Sequence, residues 1–92
     1  MSLTFEWDSH KASSNLRKHG VSFPEAATVF EDPLSATATD PAHSIDEDRY
    51  LIIGLSNRGR SLIVAFAERE ERIRIISARQ LTAQEQRQYE ET

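Results

Sequence analysis

The sequence predicts an α+β domain whose elements follow the order β-α-α-β-β-β-β-α. Two short helical stretches with clear start and stop signals follow an alternating strand near the N-terminus. Apolar and alternating stretches separated by short turns come next, and they are typical of an antiparallel sheet of hairpin-linked strands. A polar helix follows the last strand. At 92 residues the chain suits one domain with a thin core, so we expect a single domain over residues 1–92.

The first strand and the first helix are defined by their periodicity. Residues 3–7 alternate between apolar and polar, which predicts a strand with one buried face. Residues 9–19 have a helical pattern in which Ala12 and Leu16 lie on the expected inner stripe. Gly20 then supplies the left-handed residue that ends many helices. The first helix is therefore expected to stop just before this glycine.

The second helix starts at Ser22, which forms a capping-box pattern with Glu25. Its helical periodicity stops before an Asp-Pro pair, because proline disfavours helical backbone at the residue that precedes it. Residues 34–39 alternate weakly and predict an edge strand. Residues 40–44 then predict a turn, and residues 46–48 form an acidic loop.

The next two strands are almost continuously apolar. They cover residues 49–55 and 61–67, and a tight turn at Asn57-Arg58-Gly59 lies between them. Apolar runs of this kind are typical of central strands that are buried on both faces. We therefore place these two strands in the middle of the sheet.

A basic strand, residues 72–79, leads directly into the last helix. Regular alternation puts Arg79 beside Ser77 on one face. The same alternation puts Arg72 and Arg74 on the opposite face. A strand that only filled a core would not carry three arginines, so we expect the junction between this strand and the helix to bind a phosphodiester.

The last helix begins with a capping-box pattern formed by Thr82 and Glu85. Beyond Ala83, Tyr89 is its only residue with much apolar surface. A helix that is polar nearly all round is marginal when left to itself. We therefore expect it either to fray or to be covered by a partner, which is another protein or a second copy of the chain in a homodimer.

Charge is distributed unevenly along the chain. The formal net charge is −4, yet residues 49–79 contain seven arginines and only three glutamates. A positive segment within an acidic body can accept a phosphate locally while disfavouring indiscriminate binding to nucleic acid. The alternative is that these arginines pair with nearby glutamates on a solvated sheet.

Several classes of site are absent from the sequence. The chain has no cysteine, which excludes disulfides and thiolate metal ligands. His10 and His43 lack a second ligand at a suitable spacing, so we expect neither a metal site nor a cofactor. The N-terminus does not resemble a signal peptide, and no apolar run approaches the roughly 18 residues of a membrane span. We expect a soluble cytoplasmic protein that does not contact a membrane.

Short motifs spread along the chain resemble a known family. They are Phe5-Glu6-Trp7-Asp8, Lys11-Ala12, Asn15, Lys18-His19-Gly20-Val21, Phe23, Glu25-Ala26, Arg49, Ile53-Gly54, Glu68-Arg69, Ile73-Arg74-Ile75-Ile76-Ser77-Ala78-Arg79 and Tyr89. Each motif is weak alone, but their joint order and spacing are specific. Together they make the chain similar to the BrnT toxins of bacterial type II toxin–antitoxin pairs over essentially its whole length.

The resemblance implies a compact RelE-like fold and cleavage of RNA without a metal, which inhibits translation. It also implies neutralisation by a BrnA-type antitoxin, a DNA-binding protein through which the pair reaches and represses its operator DNA. The chain departs from the family at Phe66 and Ala67, where related sequences often carry His or Tyr and then Thr. If a polar side chain there helps catalysis, this chain is a weakened nuclease.

Arginines are the expected cationic part of such an active site. Metal-free RNA cleavage needs a base for the 2′-hydroxyl, cationic stabilisation of the transition state and a proton for the leaving oxygen. The planar fork of arginine binds two phosphate oxygens and keeps its charge. Arg79 is the first candidate, because RelE-like toxins also place an arginine near the end of the last strand. Arg49 and Arg74 are next, and we predict that all three clamp one phosphate, although a structural ion pair suits each of them equally well.

The expected base is His19 or Glu68. Histidine readily takes up and releases protons near neutral pH, although His19 also suits a plainer role in satisfying the last helix carbonyls. Glu68 suits the role only if burial destabilises its charge, which the neighbouring Arg69 opposes. Lys18, Arg69 and Tyr89 are expected to bind RNA. For Tyr89 the alternative to stacking on a base is a packing anchor.

Two other functions are consistent with the same residues. One is a noncatalytic module whose basic face binds an acidic protein or a nucleic acid. The other is a degenerate toxin that still binds its antitoxin and takes part in repression.

Overall fold

A computed structural model describes residues 3–40 and 48–91 of the chain. Within these residues the strands are β1 (Thr4–Glu6), β2 (Ala36–Thr39), β3 (Arg49–Leu55), β4 (Ser61–Arg69) and β5 (Arg72–Gln80). The helices are α1 (Ser9–His19), α2 (Phe23–Thr28) and α3 (Ala83–Glu90), and a 3-10 turn covers Val29–Glu31. The element order confirms the predicted α+β class. The turn predicted at residues 40–44 and the acidic loop at residues 46–48 lie largely outside the described residues.

The five described strands form one sheet in the order β1-β5-β4-β3-β2. The pairs β2–β3, β3–β4 and β4–β5 are antiparallel, as the sequence predicts. The pair β1–β5 is parallel, so the sheet is mixed and the predicted antiparallel pairing does not extend to this edge. The direction of β1 is free to differ because two helices, rather than a tight hairpin turn, connect it to the rest of the sheet.

The helices α1 and α2 cover one face of the sheet, which we call the inner face. The hydrophobic core lies between this face and the helices. The helical segments contribute Val21, Phe23, Ala26 and Val29, and the strands contribute Ile52, Leu62, Val64, Phe66, Ile75 and Ala78. The opposite face, which we call the open face, is only half-buried at Leu51, Ile53, Ile63 and Ala65, although Ala67 near the end of β4 is buried. Burial of these strands on both faces was therefore a wrong expectation. The four half-buried residues are apolar, but none of them belongs to the described core, which α1 and α2 cover.

Helix α1 ends as predicted, but its inner stripe differs from the prediction. Gly20 has φ 69°, and its N–H donates to the carbonyl oxygen of Leu16 at 2.9 Å. The side chain of Leu16 is 51% exposed, whereas Asn15 is buried at 6% exposure. Leu16 was therefore misplaced. Asn15 takes the inner position because its amide finds hydrogen-bond partners on the backbone of Val21 and Ala78.

Helix α2 is capped at its start by Ser22, whose Oγ accepts from the N–H of Glu25 at 3.2 Å. The carboxylate of Glu25 does not complete the predicted capping box. It accepts instead from Oγ of Ser56 at 2.7 Å and from Nε of Arg60 at 2.9 Å. Arg60 also donates to the carbonyl oxygen of Gly20 at 3.0 Å. One buried carboxylate thus ties the start of α2 to the β3–β4 turn and, through Arg60, to the end of α1.

Helix α3 is held by polar contacts rather than by burial. None of its described residues is buried. Its capping box is complete, since Thr82 N–H donates to Glu85 at 2.9 Å and Glu85 N–H donates to Thr82 at 3.1 Å. Near its other end the hydroxyl of Tyr89 donates to the carbonyl oxygen of Leu34 at 2.8 Å. Tyr89 is therefore an anchor that fastens this helix to the segment before β2.

Candidate active site

A β-bulge interrupts β5 in the middle of the basic strand. Ala65 of β4 pairs with Ser77 of β5. The next β4 residue, Phe66, pairs with Ile75, which leaves Ile76 as an extra residue. A bulge of this kind reverses the alternation of side chains beyond it. Residues of β5 before and after Ile76 therefore follow opposite phases.

The bulge places every arginine of β5 on the open face. Ile75 and Ala78 are both buried in the core although they are three residues apart, as the change of phase requires. Arg72 and Arg74 before the bulge thus share the open face with Arg79 after it. The expectation that arginines occupy both faces of this strand was wrong, because it assumed unbroken alternation.

Arg49 and Arg74 lie in one row across the open face. Arg74 is opposite Ala67 of β4, and Ala67 is opposite Arg49 of β3. Since neighbouring strands are about 4.8 Å apart, the Cα atoms of the two arginines are roughly 10 Å apart. Phe66 points to the inner face and is 4% exposed, so a polar side chain at position 66 would not reach the open face. A polar residue at position 67 would lie between the two arginines.

A cleft of about 290 Å³ lies in the open face. Its apolar part is formed chiefly by Leu51, Ile63 and Ala65. Its polar rim consists of His19, Ser77 and Arg79, so the end of α1 and the end of β5 meet there. Within the described residues neither His19 nor Ser77 makes a side-chain hydrogen bond. The cleft therefore combines a proton acceptor, a hydroxyl and a cation above an apolar floor.

Arg79 is bound by a carboxylate from α3. Its Nη1 donates to Oε1 of Glu85 at 2.8 Å, and its Nη2 donates to Oε2 at 2.9 Å. Nη1 also donates to the carbonyl oxygen of Gln80 at 3.3 Å. The hydrogen bonds from Arg79 and from the backbone of Thr82 lower the pKa of Glu85 from 4.5 to about 2. The same pair raises the pKa of Arg79, so both groups are charged at neutral pH.

Arg74 is bound by a second carboxylate. Its Nη1 donates to Oε2 of Glu6 at 3.2 Å, while Nη1 of Arg72 lies 3.5 Å from Oε1 of the same residue. The hydrogen bond from Arg74 is the main cause of the lowered pKa of Glu6. Strand geometry keeps this arginine apart from the cleft.

The sequence predicts that Arg49, Arg74 and Arg79 surround one phosphate. The structure does not bring them around one cleft. Only Arg79 lines the 290 Å³ cleft. The row of Arg49 and Arg74 lies four β4 residues away from the row of Arg79, which is about 13 Å along the strand. A single phosphate cannot meet all three side chains in this arrangement, although consecutive phosphates of one strand can.

Glu68 is separated from the cleft. It lies opposite Ile73, which packs against the inner core, so its side chain leaves β4 on the side opposite the arginines. Lys18 is exposed on α1 next to His19 but does not line the cleft. Tyr89 does not line it either. Strand alternation and the packing of α3 therefore take Glu68 and Tyr89 away from the predicted site.

Arg69 lies on the open face beyond Arg74. It is opposite Arg72 at the end of the β4–β5 hairpin. These two arginines line a second cleft of about 390 Å³ together with Glu6 and Glu70. The basic side chains of the open face therefore continue from the cleft of His19 and Arg79 to the tip of this hairpin.

Two residues at the candidate site were not predicted. Ser77 lines the cleft, and the sequence pattern had placed it beside Arg79 without assigning it a role. Glu85 was identified only by its capping-box spacing. Its second contact crosses the junction between β5 and α3 to Arg79, six residues earlier, and no local signal announces that contact.

In residues 3–40 and 48–91 no three His, Asp or Glu side chains lie close enough together to hold a metal ion. No helix in those two ranges has the length and apolar character that crossing a membrane requires.

Comparison with known proteins places the chain in a family context. The family model described as "Ribonuclease toxin, BrnT, of type II toxin-antitoxin system" matches residues 7–85. The crystal structure of the Brucella abortus ribonuclease toxin BrnT resembles the chain with a TM-score of 0.70 and 23% sequence identity. The match covers 88% of this chain and 99% of that one, and it supports the fold. No curated protein sequence matches the chain.

Proposed function

Since the chain belongs to the BrnT family of ribonuclease toxins of type II toxin–antitoxin systems, we propose that it cleaves RNA without a metal in the cleft between His19 and Arg79. Cleavage of RNA in this way inhibits translation. Family membership implies an antitoxin partner. In our proposal this partner is of the BrnA type and carries the toxin to operator DNA in the cytoplasm.

The observation that carries the proposal is the meeting of His19 and Arg79 in one cleft. Metal-free cleavage needs a proton acceptor and a cation around the same phosphate. In the proposed reaction His19 takes the proton of the 2′-hydroxyl, the 2′-oxygen forms a bond to phosphorus, and the bond from phosphorus to the 5′-oxygen breaks. The leaving 5′-oxygen takes a proton from solvent. The products are a 2′,3′-cyclic phosphate and a 5′-hydroxyl.

Arg79 stabilises the additional negative charge that develops on the phosphoryl oxygens during this attack. A guanidinium group suits the role because two of its N–H groups meet two oxygens at once. The apolar floor of the cleft, formed by Leu51, Ile63 and Ala65, gives the nucleotide an apolar surface on which to rest. Ser77 stands beside it, and its hydroxyl, which has no partner among the described residues, can orient the nucleotide.

The other arginines of the open face hold neighbouring phosphates in this proposal. Arg49 and Arg74 take the phosphate next to the cleft, and Arg69 takes one further along. The ion pair between Arg74 and Glu6 is partly exposed, and such pairs contribute little, so a phosphate can replace the carboxylate. Lys18 adds positive charge near His19. Glu68 has no role in this arrangement.

The test is digestion of single-stranded RNA by the purified protein in the presence of EDTA and in the absence of antitoxin. We expect cleavage with cyclic phosphate ends, detected by mass spectrometry. Arg79→Ala should slow cleavage by roughly 10²–10³, which is the usual cost of losing one transition-state donor. His19→Ala should also slow cleavage and change its dependence on pH. Arg58→Ala removes the same charge on the inner-face side and should leave the rate unchanged.

An intact RNA in that digest would exclude the nuclease, provided that the protein is folded. The degenerate toxin that acts through its antitoxin would then be the better function. Ala67 is the observation that favours this second function, because no polar side chain stands between Arg49 and Arg74. Induced expression in the absence of antitoxin distinguishes the two in cells, since only the nuclease should arrest growth.

A further inference from the structure

We propose that Glu85 is a positioning residue, which holds Arg79 by one edge of its guanidinium group and leaves the other edge to the substrate phosphate. This inference rests on the proposed function, because it concerns how Arg79 meets the phosphate. It also assigns a role to α3, which is polar and contributes no buried residue to the core among those described.

The hydrogen bonds of Arg79 define which edge is occupied. A guanidinium group has five N–H donors in one plane. Glu85 accepts one from each terminal nitrogen, and the carbonyl oxygen of Gln80 accepts the second one of Nη1. Within the described residues the remaining donors, on Nε and Nη2, have no acceptor. These two N–H groups point the same way, so they form a second fork that matches two oxygens of a phosphate.

The occupied edge explains why Glu85 does not simply block the site. A carboxylate on the outer edge and a phosphate on the side edge bind the same guanidinium group at the same time. The carboxylate is itself fixed, because Oε1 of Glu85 accepts from the backbone of Thr82 at 2.9 Å. The capping box of α3 and the orientation of Arg79 therefore depend on one shared oxygen atom.

A fixed arginine serves the transition state better than a mobile one. The arginine side chain has many rotamers, and an unheld side chain must be ordered each time that it meets a phosphate. A carboxylate that orders it beforehand removes this cost from the reaction, as preorganised donors do in other active sites. The negative charge of Glu85 opposes binding of the phosphate, so this gain belongs in kcat and not in substrate affinity.

The experiment compares Glu85→Gln with Thr82→Ala in RNA cleavage. Thr82→Ala damages the capping box and leaves both carboxylate oxygens for Arg79, whereas Glu85→Gln keeps one oxygen for the Thr82 N–H and replaces the other, which Arg79 binds, with an NH₂ donor. We expect Glu85→Gln to lower kcat by roughly 10–100-fold, the range for a small misplacement of a catalytic group, without raising KM. Thr82→Ala should lower the stability of the fold, since a helix cap is lost, and leave kcat close to that of the wild type, because both oxygens of Glu85 stay on Arg79. In the Arg79→Ala background Glu85→Gln should cause no further loss.

Three results would overturn the inference while leaving the nuclease intact. They are a wild-type kcat for Glu85→Gln, an increased activity that marks Glu85 as a competitor of phosphate, and an equal loss for Thr82→Ala that marks a purely structural role. Circular dichroism and urea unfolding check that the variants fold. Should Glu85→Gln fail to fold, Arg79→Lys provides the test, because an ammonium group keeps the charge but has no second edge. Full activity of that variant would refute positioning.

The role of Glu85 and the nuclease activity fail on different results. A wild-type protein that does not cleave RNA refutes both. A wild-type protein that cleaves RNA, and that loses activity on Arg79→Ala but not on Glu85→Gln, refutes only the role of Glu85.

Discussion

The side-chain amide of Asn15 pairs with both main-chain polar groups of Ala78. Its Nδ2 donates to the carbonyl oxygen of Ala78 at 2.8 Å, and the N–H of Ala78 donates to its Oδ1 at 3.0 Å. The partner strand β1 pairs with β5 only from Arg72 to Arg74, so Asn15 takes the place of a strand further along this edge. This contact fixes α1 against β5 one helical turn before His19, and it thereby fixes two sides of the cleft.

The first prediction is that Asn15→Ala destabilises the fold and disturbs the cleft. The substitution leaves the N–H and C=O groups of Ala78, and the C=O group of Val21, without their side-chain partner. An unsatisfied buried polar group costs about 1–3 kcal/mol, so we expect a loss of about 3 kcal/mol or more in the free energy of unfolding. Urea unfolding measures this loss.

A matched control for Asn15→Ala lies on the same helix. Ser13 is exposed, and Ser13→Ala should change the free energy of unfolding by less than about 0.5 kcal/mol. If both variants unfolded at the same urea concentration as the wild type, the amide of Asn15 would have no part in holding α1 to the sheet.

Contacts between residues close in sequence were predictable, and contacts across the sheet were not. The stop at Gly20, the cap at Ser22 and the capping box at Thr82 depend on neighbours within four residues, and all three form, although the box predicted at Ser22 lacks its return bond from Glu25. The partner of Glu25 was missed because Arg60 is 35 residues away. A capping-box pattern predicts where a helix starts. It does not predict which distant side chain the carboxylate of the box will bind.

The bulge at Ile76 is the feature that changed the site most. Its position follows from the register between β4 and β5, which a single sequence does not contain. One signal was present, since the adjacent pair Ile75-Ile76 breaks the alternation of apolar residues within the strand. A reading that allowed for this break would have placed Arg74 and Arg79 on one face. It would still not have predicted that Arg79 lines the cleft while Arg74 lies about 13 Å along the strand from it.

The second prediction concerns the buried pair of Glu25 and Arg60. The side chain of Glu25 is 4% exposed, so Arg60→Met leaves its carboxylate buried without its main partner. Breaking a buried pair by removing one partner costs about 3–5 kcal/mol, and we expect urea unfolding to show a loss in that range. Arg58 is 69% exposed and 3.8 Å from the same carboxylate, so Arg58→Met should cost less than about 1 kcal/mol. Equal losses would contradict the assignment of Arg60.

The same pair determines part of the acid sensitivity of the protein. The hydrogen bond from Arg60 is the main cause of the lowered pKa of Glu25, whose ordinary value is 4.5. A lowered pKa in the folded state means that the stabilisation is complete above pH 4.5 and is lost as the pH falls through the lower folded value. Below pH 4.5 the wild type should therefore lose more stability than Arg60→Met does. Parallel acid dependence of the two proteins would show that Glu25 is not the group involved.

The third prediction explains a glycine of the family motif. A Cβ atom at Gly54 would lie 2.9 Å from Cβ of Ser35, 3.0 Å from Oδ2 of Asp32 and 3.0 Å from Cγ1 of Val29. The first distance is shorter than real Cβ contacts and the other two are tighter than most, so the neighbouring atoms must shift, and overpacking of this kind costs about 1–3 kcal/mol. Gly54→Ala should therefore lower the melting temperature. Adding Ser35→Gly removes the nearest atom and should recover part of the loss, whereas an unrecovered loss would point to another cause.

The fourth prediction tests whether the arginines of the open face contact successive phosphates. Each phosphate that a protein neutralises on a single strand contributes about 0.7 to the slope of log K against log salt concentration. Arg69 lies on the open face beyond Arg74, so Arg69→Ala should reduce the magnitude of this slope by about 0.7 while the fold remains intact. Fluorescence anisotropy with a 2′-deoxy oligonucleotide, which lacks the attacking hydroxyl, measures binding without cleavage.

Arg58 again provides the control for the salt dependence. Its guanidinium group points toward Glu25 on the inner-face side, so Arg58→Ala changes the net charge of the protein by the same amount without removing a phosphate contact. An unchanged slope for Arg58→Ala and a reduced slope for Arg69→Ala would mean that affinity depends on where the charge lies. Equal reductions would mean that the oligonucleotide responds only to total charge, and the row of arginines beyond the cleft would then have no specific role in binding RNA.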